Sequence, residues 1–319
     1  MTHRLTLKGM AAVAAWILSQ SFAYAEDQLK VAVGQRGAWE TSITELGQKA
    51  GFYKKHGLNL DVLYTQGGGE TQQAVISGST DLGTAVGTFG ALAAYAKGAP
   101  IRGIGATQSG ANDLLWYVRA DSPIKSMKDT AGKTVAYSTN GSSTHQAVLA
   151  FRKHYDVDFQ AVATGSPAAT FTQLMSGQVD VGWAVVPFAV QAADEGKVRI
   201  IAKAGDLPTF QNQTARLIVT NADALKNRRD ALARYVQGYR ETLNWMYTDP
   251  AALKAYAEFA QVPESVAKRV RDDLIPRNDL DPDRLVGLDA VMADAVTFKY
   301  LTAPLSKEQL SEALIIPFK

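Results

Sequence analysis

Short apolar runs alternate with amphipathic stretches through the first two thirds of the chain, and the alternation predicts strands and helices in turn. Residues 30–34 read as a short apolar strand, 39–50 as an amphipathic helix ended by Gly51, and 58–64 as a second strand. The glycine loop Gly67, Gly68, Gly69 leads into a helix through 72–76, then a strand at 81–86, a helix at 89–97 and a strand at 101–106. The same order returns over residues 133–203. Strands that alternate with helices build a mainly parallel sheet covered on both faces, so the fold class is α/β. From residue 223 the spacing becomes helical throughout. Leu225, Leu232, Tyr235, Tyr239, Leu243 and Met246 share one face, Asp249-Pro250 opens the next helix, and Pro263, Pro276 and Pro282 punctuate the rest. This tail has no strands from which to make a third lobe, and it is expected to pack back onto the first.

The recurrence extends to individual residues. ISGSTDLGTAVGTFG, beginning at Ile76, matches MSGQVDVGWAVVPF, beginning at Met175, and pairs Ser77 with Ser176, Gly78 with Gly177 and Asp81 with Asp180 at a constant offset of 99. Thr65 and Thr164 keep that offset, and LKVAVG near Val31 matches GKTVAYS near Val135. Two related lobes are expected, one from residues 26–110 with 211–319 and one from 111–210, with a ligand cleft between them.

Composition narrows the function. With 33 basic against 31 acidic residues and 46% hydrophobic content the chain is an ordinary globular one, without the basic excess of a nucleic-acid-binding surface. Residues 1–25 carry Arg4 and Lys8, the apolar stretch MAAVAAWIL and the small-residue site Ala23-Tyr24-Ala25, the pattern of a cleavable signal peptide. Its apolar part is far shorter than the roughly 20 residues of a spanning helix. Removing Arg4 and Lys8 from the 33 basic residues leaves 31, equal to the 31 acidic ones. There is no cysteine, which removes thiolate nucleophiles, iron-sulfur clusters, cysteine zinc sites and a lipid-anchoring cysteine. A chain of this size buries a core without disulfides, so a soluble periplasmic product is expected.

In open α/β sheets, ligands sit beyond the carboxyl ends of strands, where helix N-termini offer unpaired N–H groups and partial positive charge. The candidates there are Gln35, Arg36 and Trp39; Gly68, Gly69 and Glu70; Gly87 and Thr88; Ser138, Asn140, Gly141, Ser142, Ser143, Thr144 and His145; and Trp183 and Val185. In STNGSSTH, Gly141 permits a tight turn and three successive hydroxyl residues open a helix, more than one N-cap requires; this is an anion cradle. Glu70, in the first turn of its helix, either caps it or pairs with Arg36 or with a cationic group of the ligand. Arg36 can fix a carboxylate or sulfonate through two parallel hydrogen bonds. Trp39 and Trp183, at strand-to-helix junctions, are candidates for cleft walls, and Phe89 and Phe188 for the core. His145 with Ser142 suggests a nucleophile and its base, but there is no G-x-S-x-G elbow, H-E-x-x-H or P-loop, and histidines at 3, 56, 145 and 154 have no metal-ligand spacing. No cofactor and no metal is expected.

Taken in order, VAVGQRGAW, GFYKKHGLNLDV, GGGETQQAVISGSTDLG, SPIKSMKDTAGKTVAYSTNGSSTH and MSGQVDVGWAVVPF resemble the nitrate/sulfonate/taurine-type substrate-binding proteins of bacterial ABC importers. The resemblance implies a type II periplasmic binding protein fold, whose lobes are joined by crossovers near 105–115 and 203–216 and close on the ligand. It further implies a protein without catalytic activity, with an ABC permease and its ATPase as partners, and a sulfonate-type helix start at Ser142, Ser143, Thr144 and His145; a monomer is expected. Val185, two before Pro187, stands where sulfonate-binding relatives carry the tryptophan of W-x-P, which favours a bulkier organic anion over taurine. Pyrimidine-synthesising relatives carry a cysteine-rich motif, which this chain lacks. The expected ligand is therefore a small organic anion. The alternatives are a neutral heteroaromatic such as a pyrimidine, stacked on Trp39 or Trp183, and a secreted hydrolase using His145.

Overall fold

The computed structural model describes residues 26–319. The signal-peptide reading of residues 1–25 lies outside them. The chain runs β1 (Asp27–Gly34), α1 (Ser42–Lys49), α2 (Phe52–Lys55), β2 (Leu58–Thr65), α3 (Gly68–Ile76), β3 (Leu82–Gly87), α4 (Thr88–Ala96) and β4 (Ile101–Ser109). It continues through β5 (Leu114–Arg119), β6 (Thr134–Tyr137), α5 (Ser143–Tyr155), β7 (Gln160–Ala163), α6 (Pro167–Met175), β8 (Gly182–Val185), α7 (Phe188–Asp194) and β9 (Val198–Lys203). Then come α8 (Pro208–Gln211), β10 (Thr214–Asn221), α9 (Ala222–Asn227), α10 (Arg229–Thr248), α11 (Pro250–Ala260), α12 (Glu264–Arg269), α13 (Leu288–Thr297) and α14 (Lys307–Ala313).

The first sheet has the order β2-β1-β3-β10-β4. Strands β8-β5-β9 form a second sheet, which the parallel bridge Val135↔Val181 and the bond from Ala136 N to Val181 O (2.9 Å) connect to the β6-β7 pair. The second set then reads β7-β6-β8-β5-β9, the same order as the first. Each set is parallel except for its fourth strand: β10 is antiparallel to β3 and β4, and β5 to β8 and β9. Local periodicity missed this exchange, because each of those strands follows a crossover and enters its sheet from the opposite end. The crossovers occupy residues 110–113 and 204–213, since β4 extends to Ser109.

The duplicated residues do the same work twice. Asp81 Oδ2 accepts from Lys30 N and Asp180 Oδ2 from Thr134 N, both at 2.8 Å, so each aspartate fastens the start of one strand to its neighbour. Thr65 and Thr71 share a hydroxyl hydrogen bond of 2.7 Å, and Thr164 and Thr170 one of 2.6 Å, joining a strand end to the helix that follows. The helical tail packs on the first sheet's layers. Leu232, Tyr235, Tyr239, Leu243 and Met246 of α10 are buried, and α10 lies on α1 and α2, while Val291, Met292 and Ala295 of α13 join Phe89 and Leu92 of α4 in a separate apolar cluster. Leu225 belongs to the short α9 and is only half-buried, so it is not part of the α10 face. Among the described residues no helix is long and apolar enough to cross a membrane.

Candidate functional site

The loops after β1, β3, β6 and β8 converge, and two adjoining cavities open among them. The outer one, about 320 Å³, is bordered by Arg36, Tyr64, Gln66, Pro167, Phe188 and Val262. The inner one, about 10 Å³, is bordered by Glu40, Ser138, Ser142, Ser143, Thr144 and Arg216. Gln35, Ala38 and Val185 line both. A volume near 320 Å³ is at the small end of ligand pockets, and about 10 Å³ is room for roughly one water. Gln35 (φ 61°) and Ala85 (φ 59°), both at the inner cavity, hold left-handed conformations that cost a non-glycine residue about 1–2 kcal/mol, the kind of strain that accumulates at functional sites.

At the inner cavity the hydroxyls of Ser138, Ser142 and Thr144 form a closed triangle with sides of 2.8–2.9 Å. Ser142 also caps α5 by accepting from His145 N (3.1 Å), and Thr144 Oγ1 accepts from Ser138 N (2.9 Å). Three hydroxyls therefore satisfy one another and brace the turn. What remains for a ligand is the Ser143 hydroxyl, which has no hydrogen bond among the described residues, and the first N–H groups of α5, which have no helical carbonyl to bond. The site is also tightly shut. A β-carbon on Gly69 would stand 2.1 Å from Asn140 O, and one on Gly90 2.3 Å from Gly141 O. Only glycine lets the β6–α5 loop lie directly on α3 and α4.

The described positions bring most of the sequence candidates together. Gln35, Gly68, Ser138, Ser142, Ser143, Thr144 and Val185 line the inner cavity, and Arg36 the outer. Arg36 is exposed, its guanidinium 4.3 Å from the Phe259 ring centroid, and no carboxylate pairs with it among the described residues. Gly69, Gly87, Asn140 and Gly141 make the closing contact, and Thr88 donates to Thr214 O (2.7 Å), tying α4 to β10.

Other candidates lie elsewhere. Trp39 is fully buried, donating to the Tyr247 hydroxyl (3.0 Å) and lying edge-on to Tyr256; Trp183 is fully buried, donating to Thr164 Oγ1 (3.2 Å). Neither indole lines either of these two cavities, because a side chain at a strand end can turn inward under the following helix. Glu70 is exposed and accepts from Gln66 N (2.6 Å), so it caps its own turn and does not pair with Arg36. His145 stacks on Tyr137 (4.6 Å) and takes hydrogen bonds at Nδ1 from the Tyr300 hydroxyl (2.9 Å) and Gly141 N (3.3 Å), and burial pushes its pKa down. Its Nδ1 is taken by Tyr300 and Gly141 and the Ser142 hydroxyl bonds to Ser138 and Thr144, so the two do not form a nucleophile–base pair.

Sequence reading missed the charges beneath the inner cavity. Arg216 Nη2 donates to Asp113 Oδ2 (2.6 Å), and Arg216 Nε lies 3.2 Å from Glu40 Oε2, all three residues at 3% exposure or less. One signal was available: Arg216 is the only charge in the strand TARLIVTN. Among the described residues no group of three acidic or histidine side chains is placed to hold a metal.

A family model described as NMT1/THI5 like matches residues 43–253, from α1 into α11. The chain belongs to the NMT1/THI5-like family. The 4-amino-5-hydroxymethyl-2-methylpyrimidine phosphate synthases THI12 and THI5 of Saccharomyces cerevisiae are 21% identical to this family member over 229 residues, 67% of this chain and 66% of theirs, so the match spans slightly less than two thirds of the yeast proteins. Among solved structures, the alkanesulfonate-binding protein SsuA of Xanthomonas axonopodis pv. citri, bound to MOPS, superposes with a TM-score of 0.74 at 19% identity, covering 90% of this chain and 97% of that one. The periplasmic nitrate-binding protein NrtA of Synechocystis PCC 6803 superposes at 0.68 with 13% identity, covering 89% and 84%. These likenesses assign the periplasmic binding protein fold that the sequence motifs implied.

Proposed function

We propose that this chain is the solute-binding component of an ABC importer. Exported to the periplasm under its N-terminal signal, it captures a small organic anion as a monomer and delivers it, unaltered, to a permease driven by a separate ATPase. One observation carries the reading: Arg36, whose guanidinium lies over Phe259 and has no carboxylate partner among the described residues, borders a largely apolar chamber that continues inward to the N-terminus of α5. A guanidinium favours carboxylate or sulfonate, apolar walls favour an organic body, and a helix N-terminus favours negative charge. Val185, where a tryptophan would narrow the chamber, is consistent with an anion bulkier than taurine. The sulfonate- and nitrate-binding neighbours support the transport role, in which lobe closure on the ligand is the working step.

The yeast synthases favour a second reading, a pyrimidine-type heteroaromatic in the same chamber. The hydrolase alternative finds no support in the site, since the Ser142 hydroxyl bonds to Ser138 and Thr144 and not to an imidazole.

Thermal-shift screening of residues 26–319 against alkanesulfonates, aromatic carboxylates, nitrate and aminopyrimidines tests the assignment. A ligand at 100 times its Kd adds about 2.7 kcal/mol of stability. Stabilisation by organic anions is expected; a response to pyrimidines alone would replace the anion reading with the second, and turnover by the purified protein would refute the binding role.

A further inference from the structure

Glu40 follows Trp39 in the segment between β1 and α1, borders the inner cavity at 3% exposure, and has no hydrogen-bond partner for either carboxylate oxygen among the described residues. The groups that face it are Arg216 from β10, Asp113 from the first crossover, Tyr239 from α10 and the Thr107 hydroxyl of β4. Arg216 directs its 2.6 Å hydrogen bond at Asp113, so one guanidinium serves two carboxylates. The Arg216–Asp113 pair is neutral by itself. An ionised Glu40 is a further, uncompensated buried charge, and a bound anion would add another of the same sign beside it in a site with little water to screen them. A proton on Glu40 removes that repulsion and converts an acceptor into a donor. Size agrees with this, because a cavity of about 10 Å³ admits a single oxygen atom of a head group whose body lies in the adjoining 320 Å³ chamber.

We propose that Glu40 works as a neutral acid, donating a hydrogen bond to one oxygen of the bound anion, so that capture of the anion is linked to a proton. No covalent bond is made or broken, and the proton stays on the Glu40 carboxyl. The inference rests on the organic-anion reading above. Burial raises the pKa of Glu40, opposed by the Arg216 guanidinium, reinforced by Asp113 and opposed again by the Thr107 hydroxyl, with the net direction the one the role requires.

The test is calorimetry of residues 26–319 with butane-1-sulfonate and with benzoate from pH 6 to 9, in imidazole and in Tris, alongside Glu40→Ala and Glu40→Gln, with melting curves to confirm folding. Glu40→Ala should weaken binding tenfold or more, and Glu40→Gln, which keeps a donor of similar shape, should restore most of it. In the wild type, Kd should rise toward tenfold per pH unit wherever the free protein has Glu40 ionised, with uptake of up to one proton per ligand seen as a difference between buffers. The proposal is overturned if Glu40→Gln loses as much affinity as Glu40→Ala, if neither substitution changes Kd, or if wild-type binding is unchanged or tightens as pH rises from 6 to 9 with no proton uptake. The wild-type pH series decides the matter even if a variant fails to fold. Failure of both probes to bind the wild type at any pH would instead remove the anion reading beneath it.

Discussion

Replacing Gly90 by alanine should leave the fold intact yet weaken ligand capture. Gly90 lies inside α4 with ordinary helical backbone, and alanine is favoured over glycine there by about 1 kcal/mol, so the helix itself gains. The obstacle is the β6–α5 loop. The added β-carbon would stand 2.3 Å from Gly141 O and 3.1 Å from its carbonyl carbon, where ordinary contact begins at 3.4 Å. Both are backbone atoms, so the loop must retreat by about 1 Å. Overpacking of this size costs about 1–3 kcal/mol in a closed core, but here the two surfaces belong to different sheets, which the proposed lobe motion would separate. If the lobes close on ligand as proposed, the free protein would relieve the clash by opening, whereas the closed form would carry it in full. Affinity should therefore fall about 5–150-fold, with an unchanged or slightly raised melting temperature and a larger radius of gyration by solution scattering. Unchanged Kd with unchanged scattering would refute the reasoning, since the contact could then not belong to the bound state. A large drop in melting temperature would show instead that the contact is part of folding.

Ser143→Ala should lower affinity with little loss of stability, because that hydroxyl is unengaged, whereas Thr144→Ala breaks the hydroxyl triangle and the bond from Ser138 N and should cost about 1–3 kcal/mol in urea titration; equal stability for the two variants would contradict the bracing role. Arg216→Met would leave Asp113 and Glu40 without their buried cation, and about 3–5 kcal/mol of stability should be lost at pH 7 and partly regained on acidification; a loss that acidification does not relieve would argue against stranded acids as its cause. His145 is kept neutral by burial, so the unfolded chain takes up a proton below about pH 6.5 that the folded one refuses. Stability should decline as pH falls through that value toward the lower folded pKa, and His145→Asn should flatten that slope; an unaltered slope would assign it to other groups.

Much of the candidate site's placement was legible because its chemistry is local. STNGSSTH announced a hydroxyl-rich helix start, and Ser138, Ser142, Ser143 and Thr144 do gather there, although three of them bond to one another. Gln35, Arg36 and Val185 line cavities as loop positions at strand ends should. Trp39 and Trp183 went the other way because sequence position at a strand end does not say whether a side chain turns toward the cleft or under its helix. Glu70 resolved to the local option, a cap, since it accepts from Gln66 N just ahead of its own helix.

The sequence by itself determined two α/β repeats and a helical tail. Strand and helix periods are short-range, and the repeated aspartates and threonines act between neighbouring elements of one lobe. Only the tertiary structure decided that β5 and β10 sit as antiparallel fourth strands and that glycines let the loop of one sheet rest on the helices of the other. It alone brought Arg216 to Asp113, 103 residues away, and to Glu40. Buried charge is compensated in space, by whichever oppositely charged group the crossovers bring near, and no periodicity along the chain encodes that meeting.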